Sequence, residues 1–278
     1  MKVCLITGAH GYVGGAICTA LTNAGWQPKP MSRSPRAGEV PFQLGDDISS
    51  ESLQGASTLI HCAYDFSYRD TLPARRVNVI GTRKLFIAAR AAGIRHIMLI
   101  SSMSAFDGCQ SNYGTIKMEM EALAREFGAA IVRPGLVYGA KAGGVFGQLA
   151  KVAAKGGLVP LIGNGLQVQY LVHQEDLGRA IAGWCSEEVR WPATPVVLAN
   201  EEPLTMKGII QTLAPRKPFF LPIPAGAVLA GLQCAELLGL KLNFRSDSLV
   251  GLLHPNLQPD FSTQRALGLS PRPFPEGF

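Results

Sequence analysis

Short apolar runs alternate with helical stretches down the first half of the chain. Val3-Cys4-Leu5-Ile6 is continuous and short enough for a strand buried on both faces, and Ala16 to Leu21 then carries a helical pattern that Asn23-Ala24-Gly25 closes. Further strands are predicted over Gln27 to Met31, Phe42-Gln43-Leu44, Thr58 to Cys62 and His96 to Ile100. A long helix over Arg76 to Ala92 sets Val77, Ile80, Leu85 and Ala88 on one face and leaves Arg83, Lys84 and Arg90 in solvent. Strands alternating with helices predict a doubly wound, mainly parallel α/β sheet with right-handed crossovers. Pro28 and Pro30, two apart, both withhold an N–H from the same neighbour, so the second strand is expected to pair weakly on one side.

The second half is harder to read. Gly139 to Gly165 is glycine-rich and basic, with Lys141, Lys151 and Lys155, and reads as a loop and helix closing over a substrate. Pro195 to Ala199 reads as a segment returning to the sheet, Pro215 to Pro224 as a connection, and Leu252 to Phe278 as a loop-rich tail. Ala225 to Leu240 is the longest apolar stretch, broken by Gln233 and Glu236 and short of a bilayer span. It is expected to be a buried or subunit-interface helix, with a peripheral membrane contact as the alternative.

Candidate chemistry begins where the first strand meets its helix, at Thr7-Gly8-Ala9-His10-Gly11-Tyr12-Val13-Gly14. Gly8 can make the tight turn, Gly11 lets backbone approach a pyrophosphate, and Gly14 lets the helix sit close on the sheet. The helix N-terminus at Tyr12 and Val13 offers free N–H groups to the phosphates. The second strand ends in Ser32-Arg33-Ser34, where an acid would accept the ribose hydroxyls of NAD. Arg33 can instead pair with a 2′-phosphate and Ser32 can hydrogen-bond it, so NADP is preferred and NAD is the alternative; the plain reading of Arg33 is a solvated turn. Asp46, with Asp47 beside it, is a candidate for the adenine or for a helix cap ahead of Ser49 to Leu53. His61 ends an apolar strand with no second ligand near it and reads as structural, and no metal is expected.

The fifth strand delivers Ser101-Ser102-Met103-Ser104, and the next helix opens with Tyr113-Gly114-Thr115-Ile116-Lys117. Positions four apart share a helix face, so Lys117 is expected beside Tyr113, lowering its hydroxyl pKa towards working pH for proton transfer to or from a carbonyl or carbinol. Ser102, or otherwise Ser101 or Ser104, could hydrogen-bond the same oxygen. Cys109 reads as an ordinary loop thiol, or as one facing the substrate.

Composition adds bounds. The chain has 278 residues, 47% hydrophobic and 17% charged, enough for one large or two modest globular domains. Its net charge is +6, with basic residues interleaved with acids, so no nucleic-acid stripe is expected, only a mild attraction for anionic ligands. The six cysteines show no paired spacing, and the first apolar run is too short for a signal-peptide core; a reduced, cytoplasmic protein with no membrane partner is the expectation.

Taken together, the residues resemble the extended short-chain dehydrogenases, the NAD(P)-dependent epimerase/dehydratase group. Thr7-Gly8-x-x-Gly11-x-x-Gly14 is similar to its cofactor turn, Gly45-Asp46 to its adenine contact, and His61-Cys62-Ala63, leading into Tyr64, to the loop under pyrophosphate and ribose. Val77-Asn78-Val79-x-Gly81-Thr82 resembles its central helix, Ser102, Tyr113 and Lys117 its catalytic set, and Arg133-Pro134-Gly135-Leu136-Val137-Tyr138-Gly139 the strand end at the nicotinamide. The likeness continues to Leu171-Val172-His173-Gln174-Glu175-Asp176-Leu177. It implies hydride transfer at nicotinamide C4, Ser101, Pro134 and Gly135 against the cofactor, Lys117 on its ribose, and a dimer through the Arg76–Ala92 and Tyr113–Phe127 helices. It also implies a dinucleotide-binding domain over 1–138, with segments near 166–200 returning to it, and a smaller, partly interleaved substrate lobe over 139–278.

Departures from the family's pattern narrow the chemistry. Sugar dehydratases carry an Asp-Glu pair where this chain has Met103-Ser104, which line the substrate side here without a carboxylate. Nucleotide-sugar epimerases place Asn at Leu136 and Arg at Gln169, and neither replacement reproduces those contacts. The expectation is reduction of a ketone or oxidation of a secondary alcohol on a small-molecule substrate. A nucleotide-sugar epimerase is the alternative, and a catalytically idle dinucleotide sensor the alternative of another class.

Overall fold

The computed structural model describes residues 2–278 apart from Arg69, Lys141, 187–190, Lys241 and Asn243. The chain runs β1 (Val3–Thr7), α1 (Tyr12–Asn23), β2 (Gln27–Ser32) and β3 (Val40–Pro41), then a 3-10 turn over Ser50–Leu53 and β4 (Thr58–His61). A continuous helical stretch follows, α2 (Thr71–Arg75) passing through a π-helical turn (Arg76–Ile80) into α3 (Gly81–Ala91). Next come β5 (His96–Ile100), α4 (Asn112–Glu126), β6 (Ala130–Pro134) and β7 (Leu136–Tyr138). The remainder comprises α5 (Gly144–Lys155), β8 (Leu158–Ile162), β9 (Val168–Gln169), β10 (Leu171–His173), α6 (Gln174–Cys185) and β11 (Val196–Leu198). It closes with β12 (Leu204–Thr205), α7 (Met206–Leu213), β13 (Phe219–Ile223), α8 (Ala225–Leu237), α9 (Ser246–Leu253) and α10 (Ser262–Ala266).

Seven strands form one parallel sheet in the order β11-β6-β5-β4-β1-β2-β3. Chain order reverses direction between β1 and β4, which opens a crevice at their carboxyl ends. Side chains alternate between two cores. Cys4 and Ile6 of β1 pack with Ile17, Leu21, Ile181 and Trp184 beneath α1 and α6. Leu5 packs on the other face with Leu85, Phe86 and Met120 of α3 and α4. Burial on both faces explains the unbroken apolar runs.

Three local expectations need correction. The third strand is Val40–Pro41, not Phe42 to Leu44: Phe42 N–H donates to Ser32 O at 2.9 Å and pairing stops there, so Phe42 and Leu44 enter the core from a loop. The shortness of β3 follows from the prolines. Gln27 N–H donates to Lys2 O, which turns the odd residues of β2 to β1, and the prolines face β3, which pairs only with Met31 and Ser32. Ile80 is 49% exposed, because the π-turn inserts a residue and rotates it off the buried face that Leu85 and Ala88 keep.

The third correction concerns α8: of the two placements expected for it, buried or at a subunit interface, the buried one fails, since the helix contains no buried residue. Val228, Leu229 and Leu232 lean on Leu249 and Leu252 of α9, while Leu237 is 87% exposed. The expected segment near Pro195 is β11, which pairs with β6.

Candidate active site

β1 ends at Thr7, Gly8 turns in the left-handed region at φ +67°, and Gly11 N–H donates to Gly8 O at 2.9 Å as α1 begins. A Cβ on Gly14 would lie 2.3 Å from Gly8 O, so no other residue lets α1 seat on the turn. Gly11 is the N-cap and caps nothing with a side chain, leaving the first-turn N–H groups of α1 facing the crevice.

A buried chain of hydrogen bonds locks the neighbouring strand end to this turn. Thr82 Oγ1 donates to Asn78 O at 2.5 Å, so its contact with His61 Nε2 at 2.9 Å is one in which the ring donates. His61 Nδ1 then accepts from Thr7 Oγ1 at 2.7 Å, and Thr7 Oγ1 accepts from Cys62 N–H and Ala63 N–H at 3.1 Å each. Burial pushes the imidazole down to about 3, aided by the Lys117 charge. His61 is thus a neutral spacer that sets the Cys62-Ala63 loop.

A cleft of about 1300 Å³ runs along the carboxyl edge. Gly8, Gly11, Tyr12, Val13, Gly14, Ser32, Arg33, Cys62, Ala63 and Tyr64 line one end. Ser101, Ser102, Met103, Ser104, Tyr113, Lys117, Pro134, Gly135 and Gln169 line the rest. Arg33 and Arg36 are exposed at the end of β2 and neither guanidinium forms an ion pair among the described residues, although the Arg36 charge acts on Glu39, which accepts from the Arg36 N–H. The Tyr12 hydroxyl is buried and has no hydrogen-bond partner. Ser101 turns its hydroxyl away to Glu121 at 2.6 Å, and the Gln169 amide donates to its neighbour's carbonyl at 2.7 Å. Cys109 also lines the cleft, its Sγ 3.8 Å from Met118 Sδ.

Three sequence candidates fall outside the lining. Asp46 is exposed and caps nothing, since Ser49 caps the 3-10 turn by accepting from Glu51 N–H at 3.2 Å. Asp47 is drawn to Lys84 Nζ at 2.9 Å. Asn78 is buried behind the wall, where Oδ1 accepts from Asp65 N–H at 2.7 Å and Nδ2 donates to Asp65 O and Ala74 O. It holds the Tyr64-Asp65 loop and does not face the cleft.

Ser102, just past the end of β5, and Tyr113, in the first turn of α4, both line the cleft, and Ser102 exerts a downward pull on the phenol's pKa. Ser102 Oγ accepts from Ser104 N–H at 3.1 Å. Lys117 is buried, one turn after Tyr113, and donates to Ile100 O at 2.9 Å with Nζ 5.9 Å from the Tyr113 ring centre. The expected lowering of the Tyr113 pKa does not occur: burial pushes the phenol up to about 12, against a smaller downward pull from Ser102. Burial also brings Lys117 down to about 8.

Sequence reasoning missed what surrounds this pair. Tyr64 meets Tyr113 edge-on at 4.9 Å and Phe66 stacks on it at 5.6 Å between ring centres. Arg245 Nη1, from just before α9, donates to Phe66 O at 2.6 Å and Tyr68 O at 3.1 Å. Asp247 in the first turn of α9 accepts from Asn112 N–H at 2.7 Å and Tyr113 N–H at 3.0 Å, so a carboxylate 134 residues further on caps the helix that carries Tyr113. The only signal was an acid opening an apolar helix; nothing near it in sequence names its partner.

A parallel sheet with a glycine turn at its switch-point crevice defines a dinucleotide-binding α/β protein. More narrowly, the chain belongs to the NAD dependent epimerase/dehydratase family, whose sequence profile matches residues 4–189. It is 33% identical to the ceramide reductase of Caulobacter vibrioides over 199 residues, 67% of this chain and 62% of that one. It is 26% identical to the decarboxylating sterol-4-alpha-carboxylate 3-dehydrogenase of Mus musculus over 242 residues, 73% of this chain and 65% of that one. The chain therefore spans less of these relatives than they span of it. The solved structure of MoeE5 in complex with UDP-glucose and NAD shares the fold, with a TM-score of 0.73 at 21% identity over 98% of this chain and 94% of that one. The glycine turn, the uncapped α1 N-terminus and the unpaired Arg33 suit a dinucleotide.

Proposed function

We propose that this chain is an NAD(P)-dependent oxidoreductase that interconverts a ketone and a secondary alcohol, with 1–138 holding the cofactor and 139–278 the substrate. The observation that carries it is the convergence of Ser102, Tyr113 and Lys117 on the lining of one cleft, beside the glycine turn. With its pKa raised to about 12, the phenol keeps its proton at neutral pH, the state needed to protonate a carbonyl oxygen as it becomes an alkoxide. Ser102 hydrogen-bonds the same oxygen and polarises it. Lys117, charged below about pH 8, favours the transient tyrosinate and binds the nicotinamide ribose. The bound nicotinamide supplies or takes the hydride.

Gly8, Gly11 and Gly14, with the N–H groups of Tyr12 and Val13, hold the pyrophosphate. Arg33, joined by Arg36, meets a 2′-phosphate and sets the preference for NADP, with NAD as the alternative. Leu136, Val168, Tyr170 and Leu252 line the substrate end. The Gln169 amide there is spent on Val168. Together these favour an apolar carbonyl substrate over a sugar diphosphate, and the relatives named for a ceramide and a sterol carboxylate make lipophilic ketones the first class to assay.

The test is NADPH consumption with a panel of lipophilic ketones, wild type against Tyr113→Phe. The variant should bind NADPH normally and turn over at least about a hundredfold more slowly; equal turnover by the variant overturns the assignment. The second reading is an epimerase, an activity that the family's own description includes. Oxidised NAD retained through purification would favour that reading.

A further inference from the structure

β8 and β13 form a two-stranded parallel ribbon, with Phe219 opposite Leu158 and Leu221 opposite Pro160. One face is internal, Val159 and Leu161 packing on Ala153 and Ile210. On the other face Leu158, Phe219 and Leu221 are 62%, 77% and 48% exposed. Three large apolar side chains grouped outwards are more than scattered surface hydrophobics.

The charge around them is one-sided. Between Glu126 and Glu175, and again between Glu202 and Glu236, the sequence contains no Asp or Glu, so the expectation of interleaved charges fails here. Parallel pairing brings the two strand starts together, Phe219 N–H donating to Gly157 O at 2.8 Å, which sets Lys155 and the Arg216-Lys217 pair beside Leu158 and Phe219. Lys155, Arg216 and Lys217, with Lys151 one turn before Lys155 on α5, are exposed and form no ion pair among the described residues.

We propose that this face docks on the surface of an anionic lipid bilayer. Phe219, Leu158 and Leu221 enter the headgroup boundary, and the four exposed cations meet the lipid phosphates. A large apolar residue ringed by basic ones is the pattern of surface-bound rather than spanning segments. Among the described residues no helix is long and apolar enough to cross a membrane, so the contact is peripheral. Charge disfavours the simplest competitor: a two-fold interface between copies through this face would bring the cations of each towards those of the other. The inference does not depend on which carbonyl the cleft accepts.

The test uses the full chain in sedimentation with vesicles of phosphatidylcholine alone or mixed with phosphatidylglycerol, at low and raised salt. The chain should sediment with the mixed vesicles, stay in solution with the neutral ones, and be released by salt. Phe219→Ser with Leu221→Ser, and separately Lys155→Glu with Lys217→Glu, should each weaken binding by about tenfold or more while leaving NADPH affinity and the melting temperature unchanged. The charge pair keeps the test decisive if the apolar pair misfolds. Failure to sediment with mixed vesicles, or equal binding by the charge pair, overturns the proposal. So does a wild-type dimer that the apolar pair turns into monomer, because the face then belongs to a second copy.

Discussion

The central sheet and the β8–β13 ribbon are both parallel, yet they handle their side chains in opposite ways. Leu59 and Ile60 of β4 point to opposite faces and neither is exposed, because helices cover the sheet on both sides. Leu158 and Val159 of β8 also point oppositely, but Leu158 is 62% exposed and Val159 1%. One region has two neighbours per residue pair and the other has one. Sequence hydrophobicity alone does not separate the cases; what covers the second face does.

Predictions follow from trying to break this contrast. The largest effect belongs to Tyr113→Phe, which removes the proposed proton donor and should lower kcat by about 10²- to 10⁴-fold with NADPH affinity unchanged. Next is stability. Leu59→Ala should cost about 2–5 kcal/mol in denaturant unfolding, whereas Leu237→Ala, at 87% exposure, should stay within about 0.5 kcal/mol. Similar losses would erase the contrast. Arg33→Ser should weaken NADPH binding about tenfold and leave NADH binding alone, read by fluorescence titration.

Asp247 sharpens the comparison as the point where the open region reaches into the covered one. Asp247→Ala removes the acceptor of the Asn112 and Tyr113 N–H groups while Ser111 still caps Gly114 N–H, and should cost about 1 kcal/mol, with kcat falling and the Kd for NADPH unchanged. A variant that loses NADPH affinity instead would show that the contact holds the whole fold together. The smallest effect is in pH. Lys117 loses its charge above about 8 while Tyr113 keeps its proton to about 12, so kcat/KM for reduction should be level below pH 8 and decline above it. A decline that begins only near 10 would assign the limb to another group.

Much of the sheet was legible because strand and helix periods differ, and the glycine turn because only glycine fits Gly14's approach to Gly8. Alternating Phe42 and Leu44 imitated a strand since loop residues can also enter a core at every second position. Ile80 was misplaced because periodicity presumes an unbroken α-helix and the π-turn shifts its phase. Asp47 looked available for a ligand, but its partner Lys84 is set by tertiary approach. The Tyr113 proton affinity was misjudged for a similar reason. Sequence spacing shows a lysine one turn away, but not that burial sets the phenol's proton affinity. Arg245 and Asp247 were invisible because their partners lie in other elements of the chain.

The cap on α4 also bears on how the protein is made. A ribosome delivers the glycine turn, His61 and Tyr113 early, but the carboxylate that receives the Asn112 and Tyr113 N–H groups emerges only with residue 247. A nascent chain can therefore assemble its glycine turn and the strand ends around it before the start of α4 meets this carboxylate. The surroundings of the Tyr113 hydroxyl are completed late in synthesis, with the α8–α9 pair.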